Sequence, residues 1–193
     1  MLPNLLNESI NNQDSMAIFT AALGLSKQQN GYELTNFLVK KLRELLQTED
    51  CHVFEVYGIN HKQNAKQPLK IEDTTIRRFD HQIENERKLF EQQDLQAYQD
   101  AIVGQRPVQV DQSPSQGDLV VIPVTSPAGP LRLVAIKGIS DDPELRVLAF
   151  QIIDLYASQI ALHDSHERDP LTGLLNRYSF PAYYERTLNQ VAN

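Results

Sequence analysis

Between Asp14 and Leu46 apolar residues recur every three or four positions, the spacing of helices with one buried face. Met16, Phe19, Ala22 and Leu23 make a first stripe. Leu34, Phe37, Leu38, Leu42, Leu45 and Leu46 make a stronger second one, and Gly24 and Asn30-Gly31 punctuate the pair. At Cys51 the period changes: Cys-His-Val-Phe-Glu-Val-Tyr, closed by Gly58, is rich in β-branched and aromatic residues and predicts a strand. A polar loop is expected over Asn60 to Pro68, then a second strand from Ile71 to Phe79, whose polarity on both faces suits a sheet edge. A helix is expected from Arg87 to Val103, stopped by Gly104 with Pro107 just beyond, and a short strand from Val108 to Val110. The clearest β signal is a hairpin in which Leu119 to Val124 and Leu131 to Lys137 are joined by Ser126-Pro127-Ala128-Gly129-Pro130. After Asp141-Asp142-Pro143 a long helix runs towards Arg168, its start marked by acids and by a proline that a first turn tolerates.

Helices and strands in this order, on a mostly antiparallel sheet, predict an α+β fold. The order of elements, the Ala-Ile-Val-Gly-Gln-Arg-Pro-Val stretch from Ala101 to Val108 entering a strand, and the hairpin feeding a terminal helix resemble a GAF domain over Leu34 to Leu162. That resemblance implies a PAS-related antiparallel sheet flanked by helices, a long C-terminal coupling helix and a sensory role. The ligand sensed is left open.

The most specific run is Asp169-Pro170-Leu171-Thr172-Gly173-Leu174-Leu175-Asn176-Arg177. Pro170 disfavours the helical conformation at Asp169 and supplies no amide donor, so the long helix should stop there. The Asp169 carboxylate should then accept hydrogen bonds from the free amides of the next turn. This run is similar to the D-x-L-T-G-L-x-N-R segment that opens GGDEF domains, matching at Asp169, Leu171, Thr172, Gly173, Leu174, Asn176 and Arg177. Tyr178 and Phe180 continue the likeness into a helix expected to start near Ser179, a good N-cap type.

The resemblance implies a bacterial diguanylate cyclase, which joins two GTP molecules into cyclic di-GMP with magnesium. In that family the metal-binding carboxylates, the guanine contacts and the GGDEF loop lie downstream of this opening segment. No catalytic, cofactor-binding or metal-binding residue is therefore assigned on this chain, and GTP and magnesium belong to the domain expected after it. The alternative is a dimerisation or scaffold module attached to a degenerate GGDEF domain or to a GGDEF phosphodiesterase protein. The expected division is a helical extension over 1–31, the sensory domain over 32–141, the coupling helix over 142–168 and the start of the GGDEF domain over 169–193. Phe180, Tyr183, Tyr184, Leu188 and Val191 of the last helix would then lack the sheet they should cover, leaving that helix disordered or packed on a neighbouring chain.

Within the coupling helix Leu145, Leu148, Ile152, Leu155, Gln159, Leu162 and His166 alternate spacings of three and four, as a coiled-coil seam does. A homodimer is expected from this seam, with Val147, Phe150 and Ile153 as a second apolar face for the sheet; the alternative is that the seam stripe itself packs on the domain's own sheet. Polar Gln159 and His166 should weaken the seam near the exit.

Composition narrows the classes further. The chain has 193 residues, 41% hydrophobic and 22% charged, enough for one core with some helical extension. Its net charge is -7 with basic residues scattered among acids, so nucleic-acid binding is not expected. A membrane-spanning run and an export signal are not evident, and a cytoplasmic location is expected. Cys51 is the sole cysteine, so no internal disulfide can form. Cys51-His52 resembles the pair on which phytochrome-like GAF domains carry a bilin, but the surrounding motifs are absent and a structural cysteine is the better reading. His61, His81 and the His163/His166 pair are too few and too scattered for a metal site. Arg77-Arg78, beside Glu72 and Asp73, suit a charged edge strand.

Overall fold

The computed structural model of the chain describes residues 12–58, 74–79, 94–110, 118–139, 142–169 and 171–191. The two amphipathic stretches before Cys51 fold as α1 (Asn12–Ser26) and α2 (Gly31–Leu46). The break between them is a capping event, because the Asn30 side chain accepts a hydrogen bond from the Glu33 amide at 3.0 Å. There follow β1 (Cys51–Gly58), β2 (Thr74–Arg78), α3 (Leu95–Gly104), β3 (Val108–Val110), β4 (Leu119–Val124), β5 (Leu131–Lys137), α4 (Pro143–Glu167) and α5 (Phe180–Val191).

The strands form a five-stranded antiparallel sheet in the order β2-β1-β5-β4-β3, so the fold is α+β as expected, with β2 at an edge. Strands β1, β4 and β5 read as almost continuous apolar runs because both faces of the sheet are covered. One face, with Cys51, Val53, Val120, Ile122, Val134 and Ile136, packs with residues of α1, α2 and α4. The other, with Phe54, Val56, Leu119, Val121, Leu133 and Ala135, packs with Ala97, Tyr98, Ala101 and Ile102 of α3. Each fully buried aliphatic side chain contributes about 1.5–3 kcal/mol to folding, so these two layers hold the sheet in place. Helix α1, expected as an extension, gives Ala21 and Leu25 to the first layer.

Helix α4 departs from the seam expected of it. Leu148 and Ile152 are buried in the chain's own core, and Leu145 and Leu155 pack against that core. Gln159 is half-buried, whereas Leu162 and His166 are exposed. The face assigned to the sheet also divides: Ile153 is buried, Phe150 packs at the margin and Val147 is exposed. The reason is geometric. Alternating spacings of three and four satisfy any helix partner, and here α1 and α2 of the same chain provide it. By length and composition α4 is apolar enough to cross a membrane, but that apolarity serves its buried stripe, which runs through Leu148, Ile152, Tyr156 and Ile160.

The loop over 60–68, His61, His81, Glu72 and Asp73, the first part of the helix expected from Arg87, and the side chains of Arg77 and Arg78 lie outside the described residues.

Candidate functional site

Two largely apolar strands each carry one charge in their interior, of opposite sign, Glu55 in β1 and Arg132 in β5, and the antiparallel register sets them directly opposite each other. Both point to the face covered by α4 and are buried, Arg132 at 0% and Glu55 at 3% exposure. Arg132 Nη2 lies 2.9 Å from Glu55 Oε1. Its two terminal nitrogens also donate to the Asp164 carboxylate on α4, Nη1 at 2.6 Å and Nη2 at 2.8 Å. From the end of the same helix Arg168 donates through Nε to Asp164 Oδ1 and through Nη2 to Glu55 Oε1, each at 2.9 Å. Two buried acids and two buried arginines thus close a ring between the sheet and the last turn of α4. Tyr57 donates its hydroxyl to Glu55, and the Arg132 guanidinium lies 5.5 Å from the centre of the Phe79 ring.

The electrostatics follow from this ring. Burial by itself raises the Asp164 carboxyl, but the hydrogen bonds and charge of Arg132 outweigh it and hold the group below its ordinary value. Burial works against the charged form of Arg132 as well, and the Asp164 hydrogen bonds and the Glu55 charge more than offset it, so the guanidinium is held more firmly than usual. Removing any one member would leave its partner buried and uncompensated.

The ring continues into the Asp169-to-Arg177 turn. Helix α4 ends at Glu167, as Pro170 led us to expect, and Arg168 Nη1 donates to the Gly173 carbonyl at 3.0 Å. Asp169 Oδ1 accepts the Leu171 amide at 3.1 Å and both the amide and hydroxyl of Thr172 at 2.9 Å. These bonds, that of the Thr172 hydroxyl first, lower the Asp169 carboxyl below its ordinary value. Gly173 has φ 68°, a left-handed conformation that a side chain would strain. Asn176 ties the far side, its amide donating to the Glu167 carbonyl at 2.8 Å and its side-chain Nδ2 to the His166 carbonyl at 2.7 Å. The last helix starts at Phe180, next to Ser179 as expected, with the Ser179 carbonyl accepting the Tyr183 amide, and Asn176 Oδ1 accepts the amides of Tyr178 and Ser179 in the turn before it. The remaining motif members face outward, Leu171 at 93% and Leu174 at 61% exposure, and Arg177 stacks over the Tyr178 ring.

A second tie holds the last helix to its own chain. Glu167 accepts the Gly31 amide at 3.0 Å and the Tyr183 hydroxyl at 2.9 Å, and that hydroxyl accepts the Tyr32 amide at 3.1 Å. The acid sits at the C-terminus of α4, where its charge is disfavoured, but also at the N-terminus of α2, where free amides and the helix dipole favour it. Helix α5 was expected to find no partner in its own chain, and Tyr183 supplies one at α2 and α4 rather than on the sheet. Phe180 and Tyr184 stack on each other and stay exposed.

Other sequence candidates lie elsewhere. Cys51 is fully buried on the sheet face beneath the helices, and His52 pairs with Asp50 at 3.3 Å, so both are engaged in packing. His163 contacts Glu167 at 3.2 Å. Among the described residues there is no group of three or more His, Cys, Asp or Glu side chains that could hold a metal ion. Of the residues that build the site, Glu55, Arg132, Asp164 and Glu167 were not singled out by the sequence patterns, Arg168 was read only as the end of the long helix and Tyr183 only as an apolar residue of the last one. The available signal was the lone charge inside each of two apolar strands.

Comparison with known proteins gives a likeness of fold. No family model and no curated protein matches the chain. Among solved structures it is similar to the GAF domain of an Acinetobacter phosphoenolpyruvate-protein phosphotransferase, at 9% identity and a TM-score of 0.47, over 81% of this chain and 96% of that one. It is also similar to the bacteriophytochrome RpBphP3 from the photosynthetic bacterium R. palustris, at 9% identity and a TM-score of 0.45, over 83% of this chain and 40% of that one. Both likenesses concern the course of the backbone alone.

Proposed function

We propose that this chain is the sensory and coupling part of a cytoplasmic GGDEF signalling protein, in which a GAF-type domain controls a diguanylate cyclase through the end of α4. One observation carries this reading: the turn that matches the opening of GGDEF domains is bonded through Arg168 into a buried charge ring shared with the sheet. A displacement of β1 or β5 therefore reaches the turn through rigid, charge-assisted bonds rather than through a loose linker. In this reading GTP and magnesium bind the catalytic domain that follows the turn, and the input at the GAF-type domain is a small molecule or protein.

The test is cyclic di-GMP formation from GTP and magnesium. The protein encoded by the full reading frame should form it, and the 193-residue chain alone should not. Product from the pure chain, or a full reading frame that lacks a GGDEF domain, would remove the reading.

The homodimer is retained in this proposal with a change of face. Leu148 and Ile152 are enclosed by their own chain, whereas Met16, Phe19 and Leu23 make an exposed stripe along α1 and Leu162 is exposed on α4. Helix α1 carries no charge from Ser15 to Ser26, so its outer side offers water only the hydroxyls of Ser15, Thr20 and Ser26. Light scattering should therefore give the mass of two chains for the native protein and of one for Phe19→Glu/Leu23→Glu. An unchanged dimer in that variant would place the interface elsewhere.

A further inference from the structure

The tip of the β4–β5 hairpin, residues 125–130, reaches the same carboxylate as the ring does. A Cβ added at Gly129 would lie 2.1 Å from Asp164 Oδ2, 2.5 Å from its Cγ and 2.9 Å from Oδ1, so the backbone there rests on the carboxylate and tolerates no side chain. The Ala128 carbonyl oxygen is 4.0 Å from where a Cβ of Gly173 would stand, which brings the tip to the exit turn itself. Pro127 and Pro130 flank these two residues, each with its own φ fixed, and Pro130 also restricts Gly129, which narrows the conformations open to the tip. Arg132, at the start of β5, grips Asp164 from the hairpin side, and Arg168 grips it from the turn side. Closure carries a local penalty. Among the described residues the buried Nε of Arg132 has no hydrogen-bond partner, which favours opening as soon as the tip lifts and water enters.

We propose that the hairpin tip is a strap closed over Asp164, and that the sheet controls the exit turn by lifting it. β5 is placed to drive this. Leu131 and Leu133 belong to the layer under α3, and Arg132 between them belongs to the ring, so a change beneath α3 that shifts the strand pulls on Asp164. With the strap down, Arg168 is held against Asp164 and keeps its bond to the Gly173 carbonyl. With the strap lifted, the two arginines and two acids hydrate together and the turn loses its anchor.

The strap rests on the coupling reading but is tested without any attached enzyme. Amide hydrogen exchange on the full chain follows the donors of the turn, Asp169, Gly173 and Asn176, which bond to Leu174, Asp169 and Glu167. Gly129→Ala, which forces the tip off Asp164, should speed these three by on the order of tenfold or more while α2 and the central sheet amides keep their native rates. Arg168→Gln, which cuts the turn from the carboxylate and leaves Glu55 and Asp164 to Arg132 alone, should speed the same three amides by more than it speeds those of α2 and the central sheet, with the tip still down on Asp164. If Gly129→Ala fails to fold, native turn rates in Arg168→Gln still overturn the strap, because the strap controls the turn only through the bonds of Arg168. Native rates at the turn in Arg168→Gln, or in a folded Gly129→Ala, would overturn the strap and leave the cyclase test of the coupling reading untouched.

Discussion

Arg132→Met should lower folding stability by about 3–5 kcal/mol, the range seen when one member of a buried ion pair is removed and the other is left uncompensated. Without Arg132, Glu55 and Asp164 remain buried with Arg168 as the shared cation. Methionine replaces the volume but neither the charge nor the two bonds to Asp164. Arg132→Met/Asp164→Leu should recover much of the loss, because the ring then reduces to a balanced Glu55–Arg168 pair in an apolar setting. Urea denaturation followed by far-ultraviolet circular dichroism measures both, and a double variant no more stable than the single one would mean that the charge ring is not the source of the loss.

The pH dependence gives a second reading of the same ring. The native Asp164 carboxyl is held below its ordinary value of 3.8, so its stabilisation is fully present above that pH and is lost as the pH falls through the depressed value. In Arg132→Met the principal opposing influence is gone and burial raises the carboxyl instead. A carboxyl raised in the folded state binds protons more readily there than in the unfolded chain. The stability deficit of the variant should therefore be widest at neutral pH and should narrow as the pH falls towards the carboxylate range. A deficit that stays constant across that range would place the loss in packing rather than charge.

Ile152→Ala should cost about 2–5 kcal/mol, the range for truncating a buried aliphatic side chain, and the loss should not depend on protein concentration. Ile152 is 1% exposed and sits in the layer that α1, α2 and α4 build with the sheet. Leu162→Ala, at 54% exposure on the same helix, should change stability by no more than about 0.5 kcal/mol in the single chain. Were the heptad pattern a seam between two copies through Ile152, its truncation would shift the unfolding midpoint with protein concentration, since association is linked to stability by mass action. Denaturation of Ile152→Ala at several concentrations in the Phe19→Glu/Leu23→Glu background, where the proposed α1 contact is absent, separates the two cases.

Much of the fold was legible because local chemistry carried it. The hairpin strands lie where the apolar runs begin and end, Leu119–Val124 and Leu131–Lys137, and β1 closes at Gly58. The stop of α4 and the acceptor role of Asp169 were legible for the same reason: a proline cannot continue a helix, and a carboxylate two or three residues before free amides accepts from them. The start of the last helix was legible too, since α5 begins at Phe180, immediately after Ser179. Asn176 was legible only as a motif member; its bonds back to α4 and forward to the amides of Tyr178 and Ser179 depend on how the turn folds against the end of the helix.

The sequence by itself determined which segments are helix and strand, where the long helix ends and that its exit is a self-bonded turn, since each depends on residues only a few positions apart. The tertiary structure alone decided what α4 packs against, because a stripe of leucine and isoleucine is equally satisfied by another copy or by its own neighbours. It also decided the charge ring. Glu55, Arg132 and Asp164 are far apart in the chain, and only the register of β1 against β5, with α4 laid across them, brings opposite charges into a space that water does not reach.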